Sequence, residues 1–60
     1  MNLYEFLREN ADEVLFCDRT GNLISVYCRD DVKVIFKFKT ISLAQNKYRK
    51  FRKELEGIQV

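Results

Sequence analysis

Residues 32–39 read VKVIFKFK, with Val32, Val34, Phe36 and Phe38 on one parity and Lys33, Ile35, Lys37 and Lys39 on the other. A period of two over eight residues predicts a strand with one buried face. Two further apolar runs precede it, EVLFC at 13–17 and LISVYC at 23–28, separated by Arg19-Thr20-Gly21-Asn22 and followed by Arg29-Asp30-Asp31. Both separators are turn-forming, so the three runs predict an antiparallel meander. Helical spacing brackets it. Asn2 and Glu5 form a variant capping box ahead of Leu3, Phe6 and Leu7, which predicts a helix over about 3–10 with Asn10 able to end it in a left-handed conformation. After Thr40, Ser42-Leu43-Ala44-Gln45 reads as a second capping box, and Ala44, Tyr48, Phe51 and Leu55 recur at intervals of four, three and four, predicting a helix that ends near Gly57. The expected fold is α+β: one domain over residues 1–60, ordered α-β-β-β-α, with both helices packed on one face of the sheet.

The register decides what the other face carries. With odd-numbered loops, Val14 and Phe16 join Ile24, Val26, Cys28 and the Val32 set on a wholly apolar inner face. With two-residue loops the middle strand turns Leu23, Ser25 and Tyr27 inward instead. Burial favours the first register, because a one-residue slip exchanges every side chain. In it the outer face holds Leu15, Cys17, Leu23, Tyr27, Arg29 and Ile35 beside Lys33, Lys37 and Lys39. Apolar side chains rimmed by lysine on an uncovered face are the pattern of a docking surface. Lysine on an edge strand also serves simply to discourage aggregation.

Length and composition narrow the functions. A chain of 60 residues supports one thin core, burying about 60% of the surface its unfolded form exposes. It contains no histidine, two cysteines and no Cys-x-x-Cys, so the commonest general base and neutral metal ligand are both missing. An enzyme is not expected, and neither a metal nor any other cofactor is. Asp30-Asp31 fits a turn, and Gly21 and Gly57 belong to no phosphate-cradling loop. The expected register does not oppose Cys17 to Cys28, so no disulfide is expected; Cys28 reads as a small core residue and Cys17 as a free thiol, consistent with a reducing compartment. The beginning of the chain, MNLYEFLREN, lacks a basic leader, and no apolar run approaches a membrane span. A cytoplasmic protein without membrane association is the expectation.

Charge is uneven. Residues 1–18 set Glu5, Glu9, Asp12, Glu13 and Asp18 against Arg8, whereas residues 19–60 hold ten basic and four acidic side chains. The basic excess peaks in NKYRKFRKELEG at 46–57. At about 100° per residue, Tyr48 and Phe51 point to the core, so they are not stacking platforms. Lys47, Arg49, Lys50, Arg52 and Lys53 spread over the remaining circumference, as on a solvated helix, and still offer phosphate contacts.

The element order is similar to that of double-stranded RNA-binding domains and of HicA-type toxins that cleave messenger RNA. The resemblance is of order alone. Those domains open the last helix on a lysine cluster where this chain reads SLAQNK, and the toxins use a histidine this chain lacks. No family is assigned.

The leading expectation is therefore a small non-enzymatic binding protein, a regulator or inhibitor of the kind mobile elements and phages encode. It would dock an acidic protein partner, or a second copy of itself as a homodimer, through Tyr27, Lys33, Ile35, Lys37 and Lys39. The alternatives are nucleic-acid binding by Lys47, Arg49, Lys50, Arg52 and Lys53 with the sheet lysines, and a structural part in a larger assembly.

Overall fold

The computed structural model describes the backbone of residues 2–59 and the side chains of residues 2–57. Helix α1 (Leu3–Asn10) is followed by a single 3-10 turn, then strands β1 (Val14–Thr20), β2 (Leu23–Cys28) and β3 (Lys33–Lys37), and helix α2 (Ile41–Gln59). The sheet is antiparallel in the order β1-β2-β3, so the architecture is the α-β-β-β-α, α+β domain that the hydrophobic pattern implies.

Local chemistry sets the ends. Asn2 caps α1, its Oδ1 accepting from the Glu5 amide at 2.8 Å while its Nδ2 donates to the Glu5 carboxylate at 3.3 Å. The other end departs from expectation. Asn10 has φ −130° rather than a left-handed conformation, and its side-chain amide donates to the Phe6 carbonyl, so the side chain rather than the backbone closes the helix. In α2 the cap is Thr40, not Ser42: its hydroxyl accepts from the Leu43 amide at 3.1 Å and its carbonyl from the Ala44 amide at 3.1 Å. The helix also runs through Gly57 to Gln59, since glycine lowers helix stability without forbidding it.

Both helices lie on the same side of the sheet. Leu3 and Leu7 of α1 and Phe51 and Leu55 of α2 bury against Val14, Ile24, Val26 and Cys28. Phe6 meets Phe36 edge to face, with ring centroids 5.8 Å apart. Full burial of each large aliphatic or aromatic side chain is worth about 1.5–3 kcal/mol, which is the main source of stability for so small a core. Val32, expected inside with Val34, Phe36 and Phe38, is instead 49% exposed. It closes the second turn, its carbonyl accepting from the Cys28 amide, beyond the cover of the helices.

The turns revise the register. The second is odd, as expected: Arg29, Asp30 and Asp31 link Cys28 to Val32, with Asp30 and Asp31 at φ 60° and 62°. Aspartate is among the few residues that tolerate this left-handed region. The first is even. Thr20 pairs with Leu23 across Gly21-Asn22, and Gly21 at φ +61° supplies the positive φ that a type II′ hairpin places first. The middle strand nevertheless keeps Ile24, Val26 and Cys28 inside, and β1 absorbs the change. Val14 pairs with Cys28 but Phe16 pairs with Tyr27, so Leu15 is the extra residue of a bulge. Beyond the bulge, Cys17 and Arg19 turn to the helices, while Phe16, Asp18 and Thr20 turn away. The expected places of Phe16 and Cys17 are thereby exchanged. The central strand sits in two ladders and cannot shift, whereas the edge strand can. Cys17 and Cys28 are therefore on one face, not two, and both are free thiols, since Cys17 pairs with Val26 and Cys28 with Val14.

Candidate functional site

The sheet face opposite the helices is a grid of three rows. Cross-strand pairing sets Phe16, Tyr27 and Lys33 side by side, then Asp18, Ser25 and Ile35, then Thr20, Leu23 and Lys37. Ile35 and Phe16 are 54% and 55% exposed, more than half of each large apolar side chain, while Leu23 and Tyr27 are half-buried. Phe16 and Tyr27 stack with centroids 4.5 Å apart and planes 17° from parallel, and the Lys33 ammonium lies 5.2 Å from the Tyr27 centroid. Because β1 and β3 flank β2, these two neighbours reach Tyr27 from opposite sides. Both contacts hold its ring in place.

Of the residues expected to bind a partner, Tyr27, Lys33, Ile35 and Lys37 thus share one face. Lys39 lies past the end of β3, exposed in the link to α2. Phe16 joins this face unexpectedly, because the bulge that brings it there leaves no mark in EVLFC. The face is mixed in charge: lysines line β3, and Asp18 stands on β1.

The five basic residues of α2 do not form one surface with the sheet lysines, since α2 covers the opposite side. Nor do they act alike. Lys47 is half-buried with its ammonium 5.4 Å from the Tyr4 ring centroid, on the flank towards α1. Arg52 lies over the Tyr48 ring and reaches Glu56 at 3.8 Å, while Arg49, Lys50 and Lys53 are exposed. Tyr48 is half-buried, and its hydroxyl donates to the Cys17 carbonyl at 3.4 Å, tying α2 to β1. Burial pushes the Cys17 thiol up, with Arg52 opposing and Asp18 adding to the effect; the Cys28 thiol is raised by burial and then by Glu13. Neither thiol has the low pKa of a reactive nucleophile. Among the described residues there is no cluster of three or more carboxylate or thiol ligands for a metal, and no helix long and apolar enough to cross a membrane.

Geometry therefore defines a small α+β domain with one helix-covered and one open sheet face. Comparison with protein-family models, with curated proteins and with solved structures finds no match.

Proposed function

We propose that the protein is a non-catalytic binding module that covers a protein partner with its open sheet face. The observation that carries this reading is the stacked Phe16–Tyr27 pair with Ile35 on the side both helices leave free, Phe16 and Ile35 more than half exposed and the group bordered by Lys33 and Lys37. Rigid aromatic and aliphatic groups supply burial when a partner excludes water, and a lysine border steers an acidic surface into place. Regulation or inhibition by steric cover is the mode of action this chemistry serves.

The test compares wild type with Tyr27→Ala/Ile35→Asp, both checked for folding by circular dichroism, in nuclease-treated affinity capture from the native host. A specific partner held by wild type and lost by the variant supports the reading. A partner retained by the folded variant overturns it. Sedimentation of the isolated protein distinguishes a second copy as occupant: a concentration-dependent dimer abolished by the same variant identifies this face as a homodimer interface.

A further inference from the structure

We infer that the groove between α2 and the outer edge of β1 binds single-stranded nucleic acid, holding phosphates on its basic side and bases on its apolar side. This goes beyond the docking face: the groove lies on the helix side of the sheet and shares Phe16, at the strand edge, with that face.

The basic side is built from two elements. From α2 come Arg49, Arg52 and Lys53; from β1 comes Arg19, which the bulge and the two-residue turn direct towards the helix. With Tyr48 and Glu56 they line an open groove of about 650 Å³, four cations against one carboxylate. Two of the cations are held in place beforehand. The Arg52 guanidinium lies 5.8 Å from the Tyr48 ring centroid, and Arg19 Nη1 donates to the Gly21 carbonyl at 2.7 Å. A guanidinium has five N–H donors, so each keeps several for phosphate oxygens. Ordering these side chains in advance lowers the entropy cost of binding.

A second, mixed hollow of about 300 Å³ continues from the first, sharing Tyr48, Arg52 and Glu56 and adding Leu15, Phe16, Cys17 and Leu55. Leu15, the bulged residue, is 54% exposed and supplies the apolar strip, and the 55% exposed Phe16 borders it at the strand edge while its ring stacks on Tyr27. A cationic track beside an apolar strip is what a single strand needs: charge for the backbone and a surface for unpaired bases. Along the axis of α2, Arg49 lies about 4.5 Å from Arg52 and about 6 Å from Lys53, so the cations spread over roughly one turn. Such a row suits a chain of phosphates better than one anion, which requires convergent donors. An acidic peptide without apolar side chains would use the cations but leave the apolar strip idle.

Fluorescence anisotropy with a short labelled oligonucleotide of mixed sequence, single-stranded or as a duplex, tests this. Wild type is expected to bind the single strand more tightly than the duplex, with affinity falling steeply as salt rises. Arg49→Gln/Lys53→Gln should weaken binding about tenfold and flatten the log–log salt slope by about 0.7 for each phosphate left without its cation. Lys33→Gln/Lys37→Gln, the same charge change on the opposite face, should cost under about threefold. Leu15→Ser should weaken single-strand binding while leaving the salt slope unchanged. Equal weakening by the two charge pairs, absence of binding at low salt, or equally tight binding of poly-glutamate by wild type overturns the inference. The poly-glutamate comparison needs no substitution, so it decides even where a variant loses its fold.

Discussion

The two faces of the sheet are made by the same strands, often by adjacent residues, yet they are used differently. On the helix side Ile24 and Val26 are fully buried; one position along the ladder from each, Ser25 pairs with Ile35, which is 54% exposed. Two helices in a 60-residue chain cover one face of the sheet. The apolar groups of the covered face hold the fold together, whereas those of the open face contribute little to the folded monomer and are free to serve recognition. Substitutions on the two faces should therefore separate stability from binding.

The largest effect is expected at Phe51, which is fully buried at the centre of the helix–sheet contact. Phe51→Ala should cost about 3–5 kcal/mol. For a chain of this length the whole stability is about 3–9 kcal/mol, so the variant should be largely unfolded by circular dichroism or melt in very little urea. A variant that stayed folded near the wild-type midpoint would break the comparison at its root. Gly21→Ala should follow, losing about 1 kcal/mol or somewhat more, because its φ of +61° strains any side chain even though the space around it is open. This measures how firmly the two-residue turn holds β1 in its shifted register.

Phe16→Ala, on the open face, should cost about 0.5–1.5 kcal/mol from the missing ring pair while abolishing whatever that face recruits. A stability loss as large as that at Phe51 would mean that the face is a second core.

Much of this division can be read from alternation. The strand pattern at 32–39, the capping pair Asn2 and Glu5, and the helical spacing of Ala44, Tyr48, Phe51 and Leu55 each state a local preference strong enough to survive tertiary packing. What cannot be read is the edge of the sheet. EVLFC alternates weakly, so either parity could be buried, and long-range pairing with β2 makes the choice. That choice moves Phe16 outward and Arg19, which has the look of a turn residue, into the groove. The cap of α2 falls two residues ahead of Ser42 for a related reason: Thr40 and Ser42 both offer a hydroxyl, and the Phe38–Asn22 hydrogen bonds, at 2.8 and 2.9 Å, fix where the chain leaves the sheet.

Within the covered side, one polar atom sharpens the comparison. The Tyr4 hydroxyl is buried and has no hydrogen-bond partner among the described residues. An unsatisfied buried hydroxyl carries a desolvation cost, so Tyr4→Phe should raise stability by up to about 1 kcal/mol. The Lys47 ammonium over the ring is preserved by phenylalanine. A higher urea midpoint at unchanged slope is the expected result.

The smallest effect comes from the thiols, both on the covered side. Burial raises the pKa of Cys17 and Cys28 in the folded protein, whereas an unfolded cysteine ionises near about 8.5. Below that pH both states hold the proton and stability is unaffected. As pH rises past it, the unfolded chain loses protons that the folded chain retains, so unfolding becomes easier until the folded thiols also ionise. Urea midpoints should accordingly decline from about pH 8.5 upward, and Cys17→Ala/Cys28→Ala should flatten that decline. Alkylation at neutral pH should reach half-buried Cys17 before Cys28, with both slower than in the unfolded chain. If Cys28 reacted first, the helix-covered face would be opening more readily than its burial allows, and the contrast between the two faces would narrow.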